Sequence, residues 1–226
     1  MKAELRVLLS GSRWRPLCYH QNAYVKKSPP IRQEFAFPAA YQIKILESYG
    51  LVNPLERFHQ FPSELEETDR QGVYLRVVPN HASPWIGFFS LGYDSDKVVN
   101  AIFSCPNAGW LCVVAGGYGY LVNTADPSHW LRLEQQPVVD VRVLPEQNLL
   151  LFAGFLNLSA VGPSGLAWTT GRLSWEGLFI SRIEGQTLYG LGWDAITDKD
   201  IPFEVDLRTG KHTGGSRPGL AANARE

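Results

Sequence analysis

When the sequence is shifted against itself by 39 residues, three segments between residues 98 and 215 fall into line without a gap. Ile102, Val141 and Ile180 coincide, as do Cys105, Leu144 and Ile183, then Trp110, Leu149 and Leu188, then Val113, Phe152 and Leu191. Pro106 falls on Pro145, with polar turn residues after each. Late in the last two units, Thr170-Gly171-Arg172 superimposes on Thr209-Gly210-Lys211, and the strand around Leu166 on the strand around Val205. A fixed period constrains the fold more than any single motif. Each unit must be one supersecondary piece that hides its apolar surface against its neighbours.

The units, near 98–136, 137–175 and 176–215, share one internal grammar. A first strand (98–103, 139–144, 178–183) meets a short polar turn, Pro106-Asn107-Ala108-Gly109 in the first unit and Glu184-Gly185-Gln186 in the last. A second strand follows that is almost continuously apolar, as in 110–115 and 149–153, and such a run predicts burial on both faces. A glycine-containing connection leads to a third strand (119–123, 203–207), and a Thr-Gly-Arg/Lys turn to an amphipathic fourth. Few charges (19%), 21 glycines, 15 prolines and 12% aromatics agree with β structure.

This order of strands resembles a β-propeller blade, whose inner strands lie between neighbours and whose outer strand is solvated. The phrase 203–211, with its Asp206 and Thr209-Gly210-Lys211, is similar to the outer hairpin of many propeller families. The Trp-Asp and Gly-His signatures of the 40-residue repeat class are absent at the matching positions, so no particular family is implied. The expected fold is mainly β: tandem four-stranded antiparallel blade-like repeats, propeller-like or an open β stack, with a small α+β N-terminal region. Propellers close with about four blades or more. Residues 60–97 have the length of a fourth unit, with strands expected at 73–78 and 85–91, but their register against the repeat is poor. Either that segment closes the ring, or the N-terminal region caps an open stack, or two chains join as a homodimer through sheet edges.

Residues 1–70 read as a separate, irregular α+β region and 71–226 as the β-repeat region. Alternation predicts a strand over 2–9. A helix is expected over 38–49: Pro38 suits its first turn, Tyr41, Ile45 and Tyr49 share a face, and Gly50 ends it. Asn53-Pro54 opens a second short helical turn, and 64–69 reads as a solvated acidic linker.

Net charge is −1, which provides no global steering toward nucleic acid or an anionic membrane. Residues 1–38 carry seven Lys/Arg against two acidic residues, with Trp14, Tyr19 and Tyr24 interleaved. A clamp on single-stranded nucleic acid is weighed there against a basic arm lying on the acidic remainder, and the arm is the reading adopted. No run approaches 18 apolar residues, so no membrane-spanning helix is expected. The opening 17 residues lack a signal-peptide pattern, and a cytoplasmic location is expected. Cys18, Cys105 and Cys112 form no framework and read as buried free thiols. Asn157-Leu158-Ser159 is a glycosylation sequon inside an apolar strand.

No catalytic motif stands out. Gly116-Gly117-Tyr118-Gly119 lacks the Lys-Ser/Thr of a phosphate loop and falls at a strand connection. Ser164, in Val161-Gly162-Pro163-Ser164-Gly165, reads as a turn residue and not as a nucleophile. The five histidines have no metal-ligand spacing. Asp194, Asp198 and Asp200 could meet a hard cation, yet Lys199 intrudes and the loop lacks the glycine and glutamate of a calcium site. No metal and no cofactor are therefore expected.

Seven tryptophans remain as the functional signal. Trp110 and Trp193 fall in the apolar inner-strand zone and are expected in the core. Trp130, Trp168 and Trp175 map nearer to outer strands, where an aromatic serves as a sugar platform or an interface anchor. The expected function is a non-enzymatic protein-interaction or scaffold module. The alternative is a carbohydrate- or small-ligand-binding protein, with hydrolytic activity included. It would use the Trp193–Asp200 loop (Trp193, Asp194, Asp198, Asp200) with Trp130, Trp168 and Trp175. The partner is accordingly a protein or a small ligand.

Overall fold

The computed structural model describes residues 31–47, 56–64 and 71–216. In chain order the strands are β1 (Arg32–Glu34), β2 (Tyr41–Leu46), β3 (Arg57–Phe61), β4 (Gly72–Pro79), β5 (Trp85–Ser90), β6 (Ala101–Ser104), β7 (Trp110–Ala115), β8 (Tyr118–Asn123) and β9 (Trp130–Arg132). They continue with β10 (Asp140–Leu144), β11 (Leu149–Ala153), β12 (Leu158–Gly162), β13 (Gly165–Thr169), β14 (Leu178–Glu184), β15 (Thr187–Asp194), β16 (Lys199–Asp206) and β17 (His212–Gly214). They make four sheets: sheet I (β2-β4-β5-β3), sheet II (β1-β6-β7-β8-β9), sheet III (β10 to β13) and sheet IV (β14 to β17). The described residues contain no helix, and none therefore long and apolar enough to cross a membrane.

The central strands explain the stacking. In β7, Leu111 and Val113 face a core shared with sheet I, while Cys112 and Val114 face a core shared with sheet III. In β11, Leu150 and Phe152 face sheet II, and Leu149, Leu151 and Ala153 face sheet IV. A strand apolar on both sides can be stable only between two other layers. The three cores join I to II, II to III and III to IV. Among the described residues no core joins IV back to I. The molecule is thus a row of blade-like sheets, mainly β as expected, with sheet IV at one end.

The fourth unit is real, but it is built differently from the others. Strands β4 and β5 lie where strands are expected, at 73–78 and 85–91, and β2 and β3 flank them, so sheet I draws on residues from both sides of position 70. The helix expected over 38–49 is not formed. Residues 41–46 are β2, paired along their whole length with β4 from Tyr41↔Pro79 to Leu46↔Tyr74. Tyr41, Ile43 and Ile45 also share a face at a period of two, and the β-branched isoleucines favour the strand once β4 offers a partner. The strand expected over 2–9, the helical turn at 53–54, His20 and Cys18 lie outside the described residues. So do 48–50 and most of the acidic linker.

The repeat holds through the first two strands of each unit and then drifts. Leu166 lies in β13, a fourth strand, whereas Val205 lies in β16, a third strand. Thr170 follows β13, while Thr209 and Gly210 close the β16–β17 hairpin by donating to the Asp206 carbonyl. The two Thr-Gly-Arg/Lys phrases are therefore not equivalent. Sheet IV has lengthened its central hairpin, with eight paired positions from Thr187↔Asp206 to Asp194↔Lys199.

Two buried indoles tie neighbouring sheets. Trp85 Nε1 donates to the Thr124 carbonyl at 2.8 Å, from sheet I to the end of β8 in sheet II. Trp168 Nε1 donates to the Leu207 carbonyl at 2.7 Å, from sheet III to the end of β16 in sheet IV. Each bond satisfies a buried donor and acceptor at once. Replacing either by phenylalanine strands the carbonyl, and the expected cost is about 1–3 kcal/mol. Chemical denaturation of Trp85→Phe and Trp168→Phe, followed by far-ultraviolet circular dichroism, measures it. A cost within error of zero would mean that water replaces the indole.

Candidate functional site

The site begins with one extra residue in β14. Near the turn, sheet IV pairs as sheet III does: Ile183↔Leu188 and Arg182↔Tyr189 correspond to Leu144↔Leu149 and Val143↔Leu150. The register then slips between Ile180 and Arg182, so that Ile180 pairs with Gly190 and Phe179 with Leu191. Ser181 is the bulge. A single-residue slip turns a strand's side chains to the other face. Ile180 keeps the inward direction of its equivalents Val141 and Ile102, but everything beyond the bulge is inverted.

The inversion exchanges the faces of β15. Leu191 is the equivalent of Phe152 and Val113, which point to the preceding sheet, yet Leu191 points outward. Tyr189 and Trp193 go with it, while Leu188 packs inward with Phe203 and Val205. Gly190 and Gly192 fill the inward positions because nothing larger fits. A Cβ on Gly190 would stand 2.2 Å from the Phe203 ring, and one on Gly192 2.0 Å from the Leu173 carbonyl oxygen. Trp193 is therefore not the core residue its place in the repeat predicts. Trp110 is half-buried at the edge of the core between sheets II and III.

The outward face of sheet IV runs in rows across the strands. Phe179, Leu191 and Pro202 are register neighbours, as are Arg182, Tyr189 and Glu204, and Trp193 stands opposite Asp200. Phe179 is 61% exposed, and Ile196, in the turn after β15, is 60% exposed. The Arg182 guanidinium lies 3.9 Å from the centre of the Tyr189 ring and bonds Glu184 at 2.8 Å. A face rich in Phe, Tyr, Trp and Arg with charges at its margin has the composition of an interface centre.

The residues singled out in the sequence divide between three places. Trp175, Trp193, Asp194 and Asp198 meet at the hairpin end of sheet IV. Asp194 is 7% exposed, and its carboxylate accepts from Trp175 Nε1 (3.2 Å), Thr197 N (3.0 Å), Thr197 Oγ1 (2.7 Å) and Ser216 Oγ. Asp198, at φ 52°, takes the Trp193 indole N–H at 3.1 Å. Arg172 caps the Trp175 ring at 5.0 Å. Trp130 is elsewhere, in the aromatic packing between sheets I and II, 5.5 Å from the ring of Phe61. Trp168 is the buried indole between sheets III and IV. The seven do not converge on one pocket, and Asp194 acts as the clasp of a turn.

Other chemistry is equally internal. Among the described residues no three His, Cys, Asp or Glu side chains gather as metal ligands. Burial pushes the Cys105 and Cys112 thiols up, so neither offers a thiolate. Burial, and Arg57 beside it, lower the pKa of His59, which packs edge-on against Trp85. Ser164 lies at the rim of an open cleft of ≈ 230 Å³ between the turns of sheets III and IV. Among the described residues no His, Asp or Glu lines that cleft, and Ser164 is a turn residue as expected. In the sequon, Ser159 Oγ donates to Gln135 and Asn157 Oδ1 accepts from the same side chain, which links sheets II and III. Gly116 and Gly117, at φ 55° and 77°, make the tight β7–β8 hairpin.

Two substitutions test this description. Gly192→Ala drives a methyl into a backbone carbonyl, and a loss of about 1–3 kcal/mol is expected in urea unfolding. The hydrogen bonds from Ser216 and Thr197 hold the Asp194 carboxyl below the usual carboxylate range. Its stabilising contribution is then complete above the ordinary value of about 4 and is lost as pH falls through the depressed one. Asp194→Asn is expected to be less stable at neutral pH and to flatten the acid limb of a stability–pH profile. An unchanged limb would remove Asp194 as the clasp.

No family model matches the chain. No curated protein matches it. Among solved structures it is similar to the WD40 domain of SCAP from fission yeast, at 10% identity and a TM-score of 0.27, over 66% of this chain. The chain spans 42% of the length of that domain. The blade-like description accordingly rests on the four sheets themselves.

Proposed function

We propose that this protein is a non-enzymatic interaction module whose outward face on sheet IV receives a protein partner. The observation that carries the reading is the apolar row Phe179–Leu191–Pro202, flanked by Tyr189 and Trp193, with Phe179 61% exposed and no further sheet packed on it among the described residues. Trp, Tyr and Arg are the residue types that dominate binding energy, and here Arg182 and Tyr189 are already stacked, which lowers the entropy lost on docking. Two buried free thiols suit the reducing cytoplasm. The same face offers a second reading, a homodimer in which sheet IV of each chain completes the other, because among the described residues nothing packs on the outward face or pairs with the edge strands β14 and β17.

The small-ligand alternative has Trp193 beside Asp198 and Asp200 in its favour. Asp194, however, is engaged by four internal donors, so it is not free to act as an acid or a base there.

A photo-crosslinking amino acid at position 179, introduced in the native cells, tests the protein-partner reading. Discrete adducts are expected that vanish with Leu191→Glu and do not form from position 164, which is exposed on another sheet. Adducts indistinguishable from those at 164 would overturn it. Adducts of twice the chain mass alone would assign the face to a second copy.

A further inference from the structure

The outward side of β16 sets sheet IV apart from sheets II and III. Their third strands, β8 and β12, carry no charged residue and are buried along their middle. β16 holds the same place in its sheet but alternates. Phe203 and Val205 enter the core, while Asp200, Pro202, Glu204 and Asp206 take the positions between them on the outward side. Asp200 stands beside Trp193, Pro202 beside Leu191 and Glu204 beside Tyr189. An acidic column thus runs along the aromatic column of β15, one strand spacing or about 5 Å away.

A sheet at the end of a row needs solvated groups, and either sign of charge serves that need. Here one sign is left over. Arg182 is the one base at the outward positions of β14, β15 and β16, and it is already joined to Glu184 and stacked on Tyr189. Asp206 is joined to Arg208. Asp200 and Glu204 are exposed, and among the described residues no basic group pairs with either. Residues 176–216 carry seven acidic and four basic side chains, a balance of −3. The uncovered aromatic face is therefore bordered along one strand by carboxylates without counter-charges.

We propose that the partner of this face is a basic protein segment, whose apolar stripe lies on Phe179, Leu191 and Pro202 and whose Lys or Arg side chains, along one margin, meet Asp200 and Glu204. The apolar stripe supplies buried area, and the one-sided carboxylates fix which way round the segment lies. Asp200 and Glu204 are four residues apart on a strand, which places them about 13 Å apart. Two basic side chains four residues apart on a strand, or about eight apart on a helix, reach both at once. The same face of a second copy has no free base to offer and would set carboxylates against carboxylates, so charge decides against the homodimer. The inference rests on the interaction reading above and names the chemistry of what binds.

The probe is a synthetic amphipathic helix with a leucine stripe edged by one row of lysines, and its control has glutamate at each of those lysines. Both are titrated into the full-length protein by amide and indole NMR. The lysine peptide is expected to shift signals at 179, 189–193 and 200–204 and to bind about tenfold more tightly than its control. That advantage is expected to vanish in the near-isosteric double variant Asp200→Asn/Glu204→Gln and to shrink as salt is raised. Equal binding of the two peptides would overturn the proposal, as would an advantage that survives the double variant, or shifts centred on another sheet. In cells, the adducts from position 179 are expected to weaken in the same variant. If they persist there unchanged, the outward face stands as the binding surface and only the basic partner is wrong. Adducts joining position 179 to residues 1–30 of the same chain would give the face to the chain's own basic segment and overturn the proposal.

Discussion

Everything in this fold depends on central strands that have no polar side. β7 and β11 bury residues on both faces, and neither can exist at the surface of a two-layer protein. Sheet II must have sheets I and III beside it, and sheet III must have II and IV. Sheet IV pays no such demand forward: its inward face is apolar, and its outward face is a mixture of aromatic and charged groups. The need for neighbours thus propagates along the chain and stops at its last sheet.

What stops it is local. The bulge in β14 and the two inward glycines of β15 work together, because an inverted strand needs inward side chains small enough to let Phe203 and Leu173 close over them. With leucine at 190 and alanine at 192, as in β11, the strand would keep the orientation of its repeat. The aromatic residues would then be core, and the end of the row would present a different surface. Function, on this reading, comes from one departure from the repeat and not from the repeat itself.

That division also governs how much was legible beforehand. The period, the doubly buried second strands and the polar turns announced a row of β units, because those features reflect burial, which composition records. The helix expected over 38–49 misread Tyr41, Ile43 and Ile45, since three apolar residues fit either period until a pairing partner is known. The equivalence of the two Thr-Gly phrases failed because the lengthened β15–β16 hairpin changes strand identity without changing the spacing. Trp193 was assigned to the core by its register, and only the slip at Ser181 moves it out. One hint of this was present: glycines at 190 and 192, in a strand whose equivalents hold leucine and alanine or cysteine and valine, have no reason to be there unless that side is crowded. Asp194, for its part, was recognised as chemically conspicuous, but a single sequence does not show whether a carboxylate faces solvent or four donors.

The two indole clasps have a further implication. Each reaches a carbonyl 39 residues ahead, one period of the repeat, and each acceptor closes the third strand of the following sheet. Repeat length is in this way fixed by side-chain contact as well as by strand count. A gene segment of that length could be copied or lost in frame and leave the clasps matched to their carbonyls, whereas a shorter insertion between residues 169 and 206 would pull Leu207 out of reach of Trp168. Growth of such a protein is quantised: it can change by whole sheets, and changes by less are resisted at a hydrogen bond.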